Sequence, residues 1–282
     1  MSCLCLGCLL VIGAATGCTS KRMHKPAWLM SRSDALRSLS EAVESPDPDT
    51  RREAVTRVSR TRHVSLPIAA DTFAMVARTD SSETVRCAAI HALGQTPDAA
   101  AAMSTLEDVL EGPKRHGAVL PTGPDVRWTA LETAYTLLAR GGPPPDQGEE
   151  FCRLATGMLA GDPSRDVRIA AARLLELCRN ARSLDALIAG LGQRDFGVAY
   201  ACARSLGNLT GQSFQMDADR WTAWVASVED PFANGRRQEA RMASGPDRPW
   251  WRLDRIFSRR RNGAHVDRSG EARRDGAVAR TD

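Results

Sequence analysis

Residues 166–175 read Asp-Val-Arg-Ile-Ala-Ala-Ala-Arg-Leu-Leu, and this stretch decides the fold because the chain repeats it. Val167, Ala171 and Leu175 are spaced four residues apart, so they form one apolar stripe along a helix. Asp162 can cap a helix N-terminus, and Pro163 suits the first helical position, where the missing N–H of proline costs nothing. The stretch therefore predicts an amphipathic helix that begins near residue 163.

Similar stretches occur at four other places, and each is followed by a second segment of helical pattern. The equivalent anchor positions are Thr50, Val85, Val126, Val167 and Val198. They lie 35, 41, 41 and 31 residues apart, a loose period that is typical of a helical solenoid. Aromatic residues make up only 5% of the chain, and alternating β-branched runs are nearly absent. We therefore expect an all-α fold, a right-handed α-α superhelix of about five helical pairs over residues 33–229.

An arginine follows the anchor position in four of the five repeats. These arginines are Arg51, Arg86, Arg127 and Arg168. An aspartate stands two positions before three of them, at Asp49, Asp125 and Asp166. Stacked repeats would bring an arginine of one unit near an aspartate of the next, which predicts a structural ladder of charge-assisted hydrogen bonds. A row of ligand-binding arginines is the alternative.

The repeated pattern Asp-Val-Arg-x-x-Ala-x-x-x-Leu resembles the HEAT repeat family, in its variant known as phycobilisome-lyase-like HEAT repeats. The resemblance covers about residues 33–228. It implies a solenoid whose extended surface binds another protein. Some proteins of the resembled variant are lyases that attach bilin pigments to phycobiliproteins, which makes an enzyme of that kind the alternative function.

The N-terminus carries an apolar run from Cys3 to Ala15, too short to span a bilayer but suited to a signal peptide. The run ends in Ala14-Ala15-Thr16-Gly17-Cys18, which resembles a bacterial lipoprotein signal. The resemblance implies that residues 1–18 are the signal, that Cys18 is lipidated, and that residues 19–32 are a tether. The protein would then lie on a membrane surface on the periplasmic side of the cell envelope. An ordinary hydrophobic N-terminus or an ordinary cleaved signal is the alternative, and a spurious signal would make the protein a cytoplasmic adaptor.

The C-terminal tail, residues 230–282, is basic and predicted to be largely disordered. From position 231 onward it has 13 Arg and 7 acidic residues, a net charge of +6, whereas the whole chain carries only +4. Within the tail, a short aromatic and aliphatic segment can form one helical face, with Trp250, Trp251, Leu253 and Phe257. This face suits contact with anionic lipid or with a partner protein. An exported protein rarely meets nucleic acid, so we expect no nucleic-acid partner.

Two tryptophans and four cysteines complete the candidate residues. Trp221 and Trp224 lie on the last predicted helix, where they can close the end of the stack or form a binding surface. The cysteines predicted to lie on helices are Cys87, Cys152, Cys178 and Cys202. A disulfide among them is compatible with an oxidising envelope, but the sequence selects no pairing.

The chemistry-bearing residues form no catalytic or metal-binding pattern. None of the five histidines has a partner at the spacing of a metal site, and no Cys-x-x-Cys, Gly-x-Ser-x-Gly or phosphate-binding glycine loop occurs. We therefore expect no enzyme, no cofactor and no metal. The predicted function is that of a lipid-anchored scaffold that binds an unidentified protein in the bacterial envelope, in an oligomeric state that the sequence does not indicate.

Overall fold

The computed structural model describes residues 30–111, 122–141 and 145–235, and these residues form helices joined by short turns. The α-helices of the described ranges are α1 Arg32–Glu44, α2 Pro48–Ser59, α3 Pro67–Thr79, α4 Glu83–Leu93, α5 Ala99–Glu111, α6 Pro124–Ala139, α7 Pro145–Gly161, α8 Arg165–Leu175, α9 Ala181–Gly190, α10 Phe196–Thr210 and α11 Ala218–Ser227. A short 3-10 helix, Arg62–Ser65, connects α2 to α3. Within those ranges there is no β-strand, which confirms the predicted fold class.

Local sequence signals explain where most helices begin. Proline occupies the first turn of α2, α3 and α6, where no intrahelical N–H bond is lost. The side chains of Asp47, Asn180, Asp195 and Asp217 accept hydrogen bonds from backbone N–H groups that the first turns of α2, α9, α10 and α11 leave unpaired.

One predicted helix start was wrong. The helix α8 begins at Arg165 after Ser164, and Asp162 lies in the preceding turn, where its carboxylate accepts the Ser164 N–H at 2.8 Å. Ser31 caps α1, and its side chain accepts the Asp34 N–H. The helix α10 ends at Thr210, because Gly211, with φ of +71°, supplies the left-handed residue that follows it.

The helices alternate between two layers. Helices α2, α4, α6, α8 and α10 pack side by side in one layer, which we call the even layer. Helices α1, α3, α5, α7, α9 and α11 form the other, the odd layer, and each of α1, α3, α5, α7 and α9 also packs on the even helix that follows it. This is the solenoid arrangement that the repeats predicted, with the repeated sequence stretches in the even layer.

The apolar core runs continuously between the two layers. The anchor valines of α4, α6, α8 and α10 are fully buried, as is the small residue four positions later in each even helix. The small residues are Ala54, Ala89, Ala130, Ala171 and Cys202. Phe73, Met103, Phe151 and Leu187 contribute from the odd layer and are also fully buried. One shared interior therefore extends through all five helical pairs.

A disulfide joins Cys152 on α7 to Cys178, which lies in the turn after α8 and not on a helix as predicted. The bond ties the two helices of the fourth pair together, with 5.8 Å between the Cα atoms. Cys87 and Cys202 are free thiols.

The last helix closes the end of the stack. On α11, Trp221 is fully buried, and its indole N–H donates to the Gln215 carbonyl at 3.0 Å. Its ring meets Phe214 edge to face, with 4.9 Å between centroids, and Trp224 packs beside both. Trp221 is therefore an interior residue of the terminal cap, whereas Trp224 is only partly buried.

Several expectations concern residues outside the described ranges. These are the lipidation of Cys18 and the tail contacts of Trp250, Trp251, Leu253 and Phe257. Among the described residues, no helix is long and apolar enough to cross a membrane.

Trp221 and Trp224 should contribute differently to the stability of the fold. Trp221→Ala removes a fully buried indole and leaves a cavity, so we expect the free energy of unfolding to fall by about 3–5 kcal/mol. Trp224→Ala, the matched control, removes a partly exposed ring and should cost clearly less. Urea unfolding followed by circular dichroism measures both. Equal losses for the two variants would contradict the cap.

Candidate protein-binding surface and the arginine row

The arginine row lies where one helical pair meets the next. The Arg51 Nε and Nη2 atoms donate to the two carboxylate oxygens of Asp80, at 2.7 and 2.9 Å. Arg127 makes the same fork to Asp162, at 2.8 and 2.9 Å. Both aspartates lie in the turn that precedes the next even helix. Each of these two arginines therefore joins its own unit to the following one, as the ladder hypothesis requires.

The acidic partners differ from those that the sequence predicted. Asp49 is within 3.3 Å of Arg52 on its own helix, Asp166 contacts the neighbouring Arg165, and Asp125 is exposed. These three aspartates lie in the first turn of an even helix, where their side chains meet solvent. The carboxylates that the arginines do bind stand six positions before the arginine of the next unit. The predicted aspartate partners were therefore wrong.

Asp80 and Asp162, which bind the arginines of the preceding units, also accept hydrogen bonds within their own turns. Asp80 accepts the Ser82 N–H at 2.8 Å, just as Asp162 accepts that of Ser164. Burial by itself would raise the pKa of Asp80, but the hydrogen bonds from Arg51 and Ser82 and the charges of Arg51 and Arg86 outweigh it. The pKa of Asp80 therefore lies below its ordinary value.

The other two arginines of the row make no such fork. Arg86 is buried, and its Nε donates to the Ala77 carbonyl at 3.0 Å. Arg168 donates through Nη1 to the Asp162 carbonyl at 2.7 Å. All four arginines of the row therefore donate to a backbone carbonyl that precedes their own helix. Arg51 and Arg127 also bind an aspartate of the next unit.

The exposed face of the even layer carries a second row, which the sequence analysis missed. The residue after each row arginine, or its equivalent in α10, is exposed or only partly buried, and Cys87 and Ile169 of this set also pack against the core. These residues are Arg52, Cys87, Trp128, Ile169 and Tyr200. Trp128 is 41% exposed and Tyr200 is 56% exposed. Phe196, which is 68% exposed, stacks on Tyr200 with 6.1 Å between ring centroids. We call Trp128, Ile169, Phe196 and Tyr200 the apolar row.

Polar contacts show that neighbouring even helices are aligned in register. Glu132 of α6 accepts from Arg173 of α8 at 2.5 Å, and the two residues occupy equivalent positions in their repeats. Tyr135 of α6 likewise donates to Glu176 of α8 at 2.6 Å. Asn208 of α10 donates to the same carboxylate at 2.8 Å. Because the register is kept from α6 to α10, the members of the apolar row on these helices lie side by side.

This polar network lies on the same three helices as the apolar row. The Arg173 guanidinium lies over the Tyr135 ring, 4.4 Å from its centroid. Burial, together with the Glu176 carboxylate, raises the pKa of Tyr135 to about 12, so its hydroxyl remains a donor at neutral pH. The resulting surface has exposed aromatic rings flanked by ordered hydrogen-bonding groups, a composition typical of protein-binding sites.

Known proteins resemble the chain in two respects. The family model described as HEAT repeats matches residues 155–244. No curated protein matches the sequence. Among solved structures, the designed armadillo repeat protein YIII(Dq)4CqI is similar over 74% of this chain and 99% of its own, with 16% sequence identity and a TM-score of 0.45. The family match and the two stacked helical layers together support a HEAT-like repeat protein.

The Arg51–Asp80 pair predicts a specific pH dependence. Because the pKa of Asp80 is lowered in the folded state, the pair stabilises the fold fully above the pKa of an unfolded aspartate, about 3.9. This stability is lost as the pH falls through the lower folded-state pKa. Asp80→Asn should therefore reduce the free energy of unfolding by about 1–3 kcal/mol at pH 7, with the gap to wild type closing below about pH 4.

The matched control is Asp71→Asn, an exposed aspartate on α3. It should leave the free energy of unfolding within about 0.5 kcal/mol of wild type. Urea unfolding at pH 7, 5, 4 and 3 supplies the comparison. A gap for Asp80→Asn that is the same at every pH would show that the carboxylate charge is not what stabilises the interlock.

Proposed function

We propose that this chain is a HEAT-like scaffold that binds another protein through the exposed face of its even layer. We further propose that a lipid on Cys18 tethers it to a membrane on the periplasmic side of a bacterial cell envelope. Its activity is recognition by an extended surface, without turnover of a substrate.

The apolar row is the observation that carries the binding proposal. Trp128, Phe196 and Tyr200 expose large rings to solvent, whereas other apolar residues of the same helices are fully buried in the core. Exposed aromatic residues on α6 and α10, with Ile169 of α8 between them, offer a partner a large contact area at a small cost in side-chain entropy. Stacked repeats commonly use such a continuous surface for recognition.

Two observations support the envelope location. The sequence has an apolar run followed by Cys18 in the arrangement of a lipoprotein signal. The Cys152–Cys178 disulfide suits an oxidising compartment, since thiols are kept reduced in most cytosols. A cytoplasmic adaptor would have to maintain this bond against that reduction.

Partner capture tests the binding surface. Crosslinking in the native host followed by mass spectrometry should recover one protein enriched with wild type and lost by roughly tenfold with the double variant Trp128→Ala/Tyr200→Ala, a factor that corresponds to about 1.4 kcal/mol. Ile68→Ala is the matched control, because Ile68 is 51% exposed but belongs to the odd layer. It should capture as much as wild type.

If wild type, Trp128→Ala/Tyr200→Ala and Ile68→Ala captured the same amount of partner, the exposed face of the even layer would not be the binding site. Recovery of a pigment protein with a covalently attached chromophore would instead favour the lyase alternative.

Fractionation tests the anchor separately. Cys18→Ala removes the thiol that would carry the lipid, so the protein should move from the membrane fraction to the soluble fraction, since reversible surface contact alone is weak. Cys87→Ala, which removes a thiol on α4, should leave the distribution unchanged. If Cys18→Ala stays with the membrane as wild type does, the lipid anchor is wrong.

A further inference from the structure

Large apolar side chains are exposed in two places on the described part of the solenoid. At the start of α10, Phe196 and Tyr200 of the apolar row lie one turn apart and stack on each other, 68% and 56% exposed. The second place is the pair of helices α1 and α3, with Leu36, Val43, Ile68 and Met75. Clustered exposed apolar side chains mark contact surfaces, so each place calls for an occupant.

The chain leaves the described residues beside α10. Gly235 is the last of them, and a Cβ atom there would clash with the carbonyl oxygen of Leu209. The backbone therefore lies directly against the C-terminal end of α10. Leu209 and Tyr200 are nine residues apart on that helix, which is about 14 Å at a rise of 1.5 Å per residue. The exit point is thus close to the exposed rings.

The connection from Gly235 to the aromatic part of the tail has a suitable length. Residues 250–261, which we call the tail segment, follow 14 residues after Gly235. A flexible chain of 14 residues has an end-to-end distance of about 19–22 Å, and a helix of that length measures about 21 Å. Either would reach Phe196 and Tyr200. The exposed residues of α1 and α3 are three to four helix-to-helix steps away, roughly 24–40 Å.

The tail segment has apolar side chains that suit the exposed rings of α10. Trp250, Leu253 and Phe257 recur three and four residues apart, so in a helix they would share one face. Aromatic side chains pack well edge to face or offset against other rings. The face of the tail segment therefore offers Phe196 and Tyr200 partners of their own kind.

Charge complementarity favours the same place. The tail segment contains five arginines and one aspartate, a net charge of +4. On the solenoid, Asp125 and Asp166 lie in the first turns of α6 and α8 with exposed side chains, and Asp195 caps α10. Arg165 contacts both Asp166 and Asp195, and no ion pair within the described residues engages Asp125. These carboxylates offer the arginines of the tail segment acceptors beside the apolar row.

We propose that the tail segment docks on Phe196 and Tyr200 of the same chain and competes there with the partner protein. The connection holds the segment at an effective concentration in the millimolar range, so even a weak contact is largely formed. The competition rests on the proposed function, because a partner must displace the segment before it contacts α10. The tail then sets the threshold for partner binding.

Tyrosine nitration measures this contact, because the chain contains only two tyrosines. Tetranitromethane modifies accessible phenolate rings, and Tyr200 is accessible unless the tail segment covers it. Tyr135 is the internal reference, since its hydroxyl donates to Glu176 and its pKa is raised to about 12, which keeps it unreactive. Peptide mass spectrometry of the full chain gives the nitration rate of each tyrosine.

The comparison uses three full-length chains, all with Cys18→Ala so that no lipid is attached. Tyr200 should be nitrated roughly five- to tenfold more slowly with the native tail than with Trp250→Ser/Phe257→Ser. Val266→Ser, the matched control, removes an apolar side chain outside the tail segment and should keep the protection. Equal circular dichroism of the three chains checks that the solenoid is unchanged.

Two results would overturn the docking. Equal nitration of Tyr200 in all three chains would leave the tail segment for a lipid surface or another protein. Protection that disappears on dilution by about a hundredfold would make a second copy the occupant, because an intramolecular contact does not depend on concentration. A photoreactive residue in place of Leu253 locates the contact. It should crosslink to the peptide with Phe196 and Tyr200, and crosslinks confined to α1 and α3 would contradict the proposal.

Partner capture tests the competition. Trp250→Ser/Phe257→Ser frees the rings of α10, so it should capture about fivefold more partner than wild type. Unchanged capture by this variant would overturn the competition. Failure of the proposed function is a different result: Trp128→Ala/Tyr200→Ala would then capture normally, while the protection of Tyr200 by the native tail would persist.

Discussion

A small side chain at one register position of every even helix is the constraint on which the rest of the structure depends. Ala54, Ala89, Ala130, Ala171 and Cys202 occupy that position, and all five are fully buried. Small side chains let neighbouring helices approach closely, and close approach fixes their relative register. Gly190 shows how tight the packing is on the odd side, because a Cβ atom there would lie 2.5 Å from the Cys202 Sγ.

The surface that we propose binds a partner follows from that register. When equivalent residues of α6, α8 and α10 lie side by side, Glu132 meets Arg173 and Tyr135 meets Glu176 without any special loop geometry. The same alignment places Trp128, Ile169 and Tyr200 in one row, in which Trp128 and Tyr200 are exposed and Ile169 is partly buried. The arginine interlocks then reinforce the stack at the turns, where the helices alone would leave polar groups unpaired.

The repeated stretch was enough to predict the helices and the solenoid, because helical periodicity and capping residues act locally. It did not predict the pairing, since each even helix packs mainly on the odd helix that precedes it and not on the one that follows. The arginines of the row were also recognisable. Their acidic partners were not, since Asp49, Asp125 and Asp166 match the repeat more visibly than Asp80 and Asp162, which lie in turns. Aligning the units on their arginines would have placed both of these aspartates at the same position, six residues earlier.

Other features were beyond prediction for physical reasons. The apolar row contains Trp128, Ile169 and Tyr200, whose shared position is visible in the repeat, whereas the exposure of Trp128 and Tyr200 is visible only once the helices are packed. The pairing of Cys152 with Cys178 depends on how α7 lies against α8, which no spacing reveals. Trp221 is fully buried and Trp224 is only partly buried, although both residues fit the same helical pattern.

The most direct test of the account is a distance measurement along the even layer. Spin labels at positions 52 and 128 are separated by two helix-to-helix steps, and labels at 52 and 200 by four, in a background without the other free thiols. A stack with 8–10 Å between axes predicts roughly 16–20 Å for the first pair and roughly 32–40 Å for the second. A near doubling confirms units that stack side by side in register, and two similar distances would contradict it.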